Sequence, residues 1–140
     1  MGDLVPLIEQ TAAEYPGVPT IAAAIATAHA EGDRTDAARN LLEQFAATGF
    51  DLPLDMSWFM GMVCYAEAAI ACRDSKYARP LFDRLAPWAD QWSSNDATMG
   101  GPASTFLGGL ATVLGHYDEA NAFFAQAGAS CDRVLSLIHI

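Results

Sequence analysis

The side chains that could do chemistry in this chain are few and scattered. His29 and His116 have no second imidazole or thiol three or four residues further on, and a protein zinc site needs several such ligands brought together. Cys64, Cys72 and Cys131 are odd in number and lack CxxC spacing. Cys64 and Cys72 stand eight apart on one expected helix, so all three read as small buried thiols rather than as a metal site or a disulfide. Ser57, Ser104 and Ser130 sit in no GxSxG setting, so nothing marks a hydrolase nucleophile. Asp83, Asp90 and Asp96 are spread over turn and surface positions, and Gly100-Gly101 reads as a connector rather than a phosphate cradle. No constellation of nucleophile, base and orienting group emerges. No enzyme activity, cofactor or metal is expected.

The aromatic residues offer a different chemistry, that of partner anchoring. Trp92 lies beside a polar, glycine-rich stretch, and Trp88 follows Pro87. Together with Tyr65 they are the expected partner-binding residues, because aromatic side chains on a curved repeat surface can anchor a peptide or helix. Trp58 begins an apolar helical run and reads as core. The formal charge is −10, with 17 acidic against 7 basic residues. Such a surface repels phosphate backbones, so direct nucleic-acid binding is not expected. It suits a basic partner or simply maintains solubility.

These residues must be positioned by helices. Hydrophobic residues make up 52% and charged residues 17% of the 140 positions, which argues for a folded core rather than disorder. No run of about 18 apolar residues is present, so no membrane span is expected. The N-terminus carries Asp3 and no basic flank, so no leader is expected and the cytoplasm is the default address. Helical spacing predicts helices over 4–14, about 20–30, 34–48, 57–72, 75–90, 102–114 and 117–128, seven in all and no strand. Pro16-Gly17 should end the first. Gly32 should end the second as a left-handed cap, with Asp33 capping the third and Asp36 completing a capping box. The helix after Ser57 is apolar on most sides and should be buried between neighbours. Pro80 and Pro87 should kink or end the fifth. Residues 92–101 read as the longest loop. Gly108 and Gly109 should weaken their helix locally while permitting close packing.

A repeat underlies the series. Gly32-Asp33-Arg34-Thr35-Asp36-Ala37, Arg73-Asp74-Ser75-Lys76-Tyr77-Ala78 and Gly115-His116-Tyr117-Asp118-Glu119-Ala120 are three versions of one turn. Bulky pairs follow them at Leu41-Leu42, Leu81-Phe82 and Phe123-Phe124. Ala37, Ala78 and Ala120 lie 41 and 42 residues apart, a period that stacked helix pairs produce. Each alanine suits a place where two helix axes cross closely. The expected architecture is an all-α, tetratricopeptide-like stack of helix pairs, an α-solenoid.

The set Gly32 through Leu42, Leu52 through Trp58, Leu85-Ala86-Pro87-Trp88-Ala89 and Phe106-Leu107-Gly108-Gly109-Leu110 running into Gly115 through Ala120 resembles the C-terminal helical-repeat region of large actinobacterial regulators. Those proteins contain an ATPase core, and some carry an adenylate/guanylate cyclase domain or a LuxR-type DNA-binding domain. The resemblance covers about residues 20–130. It departs at Trp88, where tyrosine is more usual, and at Arg73, which replaces a turn glycine. It implies a non-enzymatic interaction or sensor module of a signalling or transcriptional regulator. The partner would be a protein, a peptide or flanking domains of the same full-length chain. A free-standing peptide-binding protein is the alternative. No GxxxxGK[ST] phosphate loop, cyclase aspartate pair or basic recognition helix occurs here, so those activities do not transfer.

Leu135-Ser136-Leu137-Ile138-His139-Ile140 ends abruptly without a cap or polar tail. One codon choice for it, CTG TCT CTT ATA CAC ATC, resembles a transposon end used in library adapters. Residues 1–134 are therefore expected to form one helical-repeat domain, a fragment of a larger chain, and 135–140 to be a non-native read-through tail. An ordinary apolar tail docked on the last helix is the alternative.

Overall fold

Three left-handed turns set the rhythm of the fold. Asp33, Arg73 and Gly115 hold φ of 58°, 52° and 78°, and each stands two residues before a helix. The computed structural model describes residues 5–15, 19–55, 57–94 and 99–138. Pro16-Gly17, Met56, the centre of the 92–101 stretch including Asp96, and His139 fall outside the described residues. The described residues form seven α-helices: α1 (Val5–Glu14), α2 (Pro19–Glu31), α3 (Thr35–Ala46), α4 (Trp58–Cys72), α5 (Ser75–Leu85), α6 (Ala103–Val113) and α7 (Tyr117–Ile138). The protein is mostly helical, as its alanine content and apolar periodicity require.

The turns correct the first repeat by one residue. Gly32 is not the left-handed position; Asp33 is, and it therefore does not cap α3, whose N-cap Arg34 makes no side-chain cap bond. The Arg34 N–H reaches the His29 carbonyl at 2.9 Å, as the His116 N–H reaches that of Ala111 at 2.9 Å. Both are the six-to-one bond of a Schellman ending, which satisfies carbonyls that a helix end leaves open. The equivalent buried alanine is then Ala38 rather than the half-buried Ala37. Ala38 and Ala78 are wholly buried and Ala120 nearly so. With Ala38 as the reference, the bulky pairs fall three and four residues later in all three copies.

α4 lies at the centre. It packs against α2, α3, α5 and α6, which is why Trp58, Met62, Val63, Tyr65, Ala66, Ala69 and Cys72 are all buried. α2, α4 and α6 lie side by side, α3 and α5 back them, and α7 backs α6. Contact between α2 and α4 is the most extensive, because small residues let the axes approach. Thr20 Oγ1 donates to Ser57 Oγ at 2.8 Å and Thr27 Oγ1 to the Cys64 carbonyl at 2.8 Å. Gly108 and Gly109 meet the expectation of close packing. A Cβ at Gly108 would lie 2.6 Å from the Phe124 ring, and one at Gly109 would lie 2.5 Å from Ile70 Cδ1. On the opposite side Glu43 of α3 takes bonds from Lys76 Nζ and the Tyr77 hydroxyl of α5. These bonds hold the Glu43 carboxyl below its usual range, Lys76 first and Tyr77 second.

The break expected at Pro87 is present, while the expectations of a loop over 92–101 and of a last helix ending at 128 are overturned. α5 stops at Leu85 and passes into a 3-10 turn, Ala86–Trp88, where Pro87 cannot donate the bond an α-helix needs. The stretch read as loop contains an antiparallel hairpin, β1 (Trp92–Ser94) with β2 (Met99–Pro102), in which Trp92 faces Pro102 and Ser93 faces Gly101. Strands of three and four residues are too short to show alternation. Gly101, at φ 96°, takes a conformation that suits glycine alone. The ladder continues into α6 through the Ala103 N–H and the Gln91 carbonyl at 2.8 Å. α7 also runs ten residues past its expected end at 128, to Ile138. No proline interrupts that segment. Leu135, Leu137 and Ile138 are exposed on it, so they do not dock.

Candidate partner-binding site

The chain has three tryptophans, and all three line one pocket. Trp58 is placed by the first turn of α4, Trp88 by the 3-10 turn after α5, and Trp92 by the start of β1. Phe59, Gln91, Leu54 and Asp55 complete a cavity of about 300 Å³. Trp58 and Trp88 have ring centroids 5.5 Å apart at 56°, and Trp58 and Phe59 lie 6.2 Å apart. Trp58 is buried as expected, yet it forms the inner wall of the pocket. Trp88 is 40% exposed and Leu54 77% exposed, while Trp92 is half-buried.

Asp55 brings the pocket's charge. Its Oδ1 accepts from the Ser57 hydroxyl at 2.7 Å and the Ser57 N–H at 2.8 Å. Those bonds, the hydroxyl first, hold the carboxyl below its usual range. Thr20 in turn donates to Ser57, so a short relay from α2 fixes the carboxylate. No basic side chain pairs with Asp55 among the described residues.

Tyr65 does not belong to this surface. It is wholly buried in α4, 4.7 Å from Phe45 and 5.7 Å from Phe50 between ring centroids. Burial pushes its phenol far up, and its hydroxyl has no partner among the described residues. Tyr65 is core, placed inward because α4 is enclosed by neighbours. Of the expected anchors, the fold brings Trp88 and Trp92 together and removes Tyr65.

A second concavity crosses the face of α2, α4 and α6. Thr27, Ala30 and Glu31 supply one wall, Glu67, Ile70 and Ala71 the floor, and Thr105, Phe106 and Gly109 the other wall, with Phe124 of α7 closing it at a volume of about 440 Å³. The groove is apolar except for the two threonines and two carboxylates. The Glu67 carboxyl is raised by burial first and then by the charge of Glu31. Nearby, burial and then Glu67 push the Cys64 thiol up to about 11, which leaves little of the reactive thiolate. All three cysteines are free, Cys72 buried and Cys64 and Cys131 half-buried. No group of three or more His, Cys, Asp or Glu side chains comes together among the described residues.

Compared with family models, curated proteins and solved structures, the chain matches none. No helix among the described residues is long and apolar enough to cross a membrane.

Sequence reasoning missed Glu31 and Glu67. Their signal was available in the helical phase: Thr27 and Glu31 stand four apart on α2, Glu67 and Ala71 four apart on α4, and Thr105 and Gly109 four apart on α6. Three such stripes become one groove only when the helices lie side by side.

Proposed function

We propose that this chain is a non-enzymatic protein-interaction module, a tetratricopeptide-like stack of helix pairs that docks a basic segment of a partner. The observation that carries the reading is the groove across α2, α4 and α6, apolar at Ile70, Phe106 and Phe124 and charged only by Glu31 and Glu67. An apolar stripe flanked by Lys or Arg on a helix or extended peptide would bury its hydrophobic side chains on Ile70, Phe106 and Phe124. Its cation would relieve the repulsion between the two carboxylates. Burial of apolar area supplies the affinity, and charge supplies the choice of partner and the rate of encounter. The stacking itself is supported by the side-by-side placement of α2, α4 and α6, the first helix of each pair. The recurrence of the left-handed turn and buried alanine at Asp33/Ala38, Arg73/Ala78 and Gly115/Ala120 supports it further.

The resemblance to the repeat region of ATPase-containing regulators supplies a setting: a cytoplasmic signalling protein whose flanking domains, or a separate partner, present that basic segment. Binding would then bias the attached ATPase.

The test is a titration of a fluorescent synthetic amphipathic helix of Leu and Arg, followed by anisotropy, against the protein and its E31Q/E67Q double variant. The expected result is saturable binding that weakens with added salt. The double variant should lose about tenfold in affinity, roughly 1.4 kcal/mol. Equal affinity of the two proteins, or equal binding of a Leu and Glu peptide, would remove the reading.

A further inference from the structure

The tryptophan pocket has a composition that core packing does not require. Three indoles and a phenyl ring face one opening with a carboxylate beside it, and two of the large apolar residues around it, Trp88 and Leu54, are substantially exposed. Asp55 stands exposed at the rim, its carboxylate held there by the Ser57 N–H and hydroxyl. A pocket for an apolar ligand would gain nothing from a charge. An aromatic face carries negative potential, and rings set around a cavity attract a cation, most strongly one whose charge is spread over methyl groups and so costs little to desolvate.

From this juxtaposition we propose that the pocket formed by Trp58, Phe59, Trp88, Trp92 and Asp55 is a binding site for a methylated ammonium group. Trp58 and Trp88 pack on each other at a centroid distance of 5.5 Å and form one continuous aromatic wall, buried at Trp58 and exposed at Trp88. Trp92 is held at the opening by the hairpin through its pairing with Pro102. Asp55 supplies the opposite charge, and its orientation is fixed by Ser57 and, behind it, Thr20. The volume of about 300 Å³ accommodates a small quaternary ammonium head. The site is independent of the groove across α2, α4 and α6, so either can fail alone.

Because every tryptophan of the chain lines the pocket, its intrinsic fluorescence is a direct reporter. The experiment titrates the protein with choline and, separately, with 3,3-dimethylbutan-1-ol, the neutral carbon isostere, and repeats the titration by calorimetry. The expected result is a saturable fluorescence change with choline and at least about tenfold weaker binding of the isostere, the difference a desolvated cation on aromatic faces makes. W88A should weaken choline binding about tenfold; because its ring also packs on Trp58, W88F, which keeps a ring there, should retain both the thermal melt and most of the binding. D55N keeps an acceptor for Ser57 and removes only the charge, and it should weaken binding several-fold. No saturable response to choline, equal binding of the isostere, or unchanged affinity in W88A would each overturn the proposal. Free choline and a trimethyllysine peptide share the recognised group. A peptide binding more tightly than choline at the same pocket would assign the source to a modified protein, and the reverse order to a small molecule.

Discussion

Arg73 holds a backbone conformation, φ 52°, that the equivalent turn reaches with glycine at Gly115. A side chain with a Cβ pays about 1 kcal/mol or more there, and Arg73 makes no side-chain hydrogen bond or ion pair among the described residues to offset it. R73G should therefore raise the free energy of unfolding by about 0.5–1 kcal/mol, measured by urea denaturation. A decrease would mean that the arginine makes a contribution the turn geometry does not account for. Asp33 takes the same conformation at less cost, since Asp and Asn tolerate it. Glycine identity at Gly32 points one residue before the left-handed position, whereas the spacing of the bulky pair points to Asp33. Leu41 and Leu42 stand at the pair positions relative to Ala38, not Ala37, and that offset is legible in the sequence.

At the scale of elements, α6 separates two opposing effects of glycine. Gly108 allows the Phe124 ring to lie against the helix backbone, whereas Gly128 of α7 has no atom within 4 Å of where a Cβ would sit. An alanine at Gly128 gains about 0.5–1 kcal/mol of helix propensity with no clash. An alanine at Gly108 gains the same propensity but displaces a ring, which costs about 1–3 kcal/mol. G128A should thus stabilise and G108A should destabilise by about 1 kcal/mol net, compared by denaturant midpoints. A stabilising G108A would show that Phe124 swings freely.

Helix existence was readable at this scale because apolar spacing, turn residues and the buried alanines agreed with one another. The hairpin was not. Its two strands are three and four residues long, and the burial of Ser93 depends on α4, whose Met60 Sδ lies 3.6 Å from the serine hydroxyl. The 3-10 turn after α5 was half legible, since Pro87 marked the break but not its form. Trp88 and Trp92 stood out as anchors from their flanking residues. Their meeting with Trp58 and Asp55 is a product of tertiary placement, as is the inward turn of Tyr65.

At the scale of the whole molecule, the helices place two unlike concavities on one acidic protein: an apolar groove with two carboxylates and an aromatic pocket with one. The net charge of −10 gives both a field that draws cations and keeps polyanions away. The groove carries the account. It is assembled from α2, α4 and α6 together, so any partner that uses it reads the side-by-side placement of three helices rather than one helix.

The most direct measurement is an amide-resolved NMR titration of the protein with the synthetic Leu and Arg amphipathic helix. The expected result is saturable shifts concentrated at Thr27, Ala30, Glu31, Glu67, Ile70, Ala71, Thr105 and Gly109, with little change on the outer faces of α3 and α5. Shifts centred on those outer faces, or no saturable shift up to about 1 mM peptide, would contradict it.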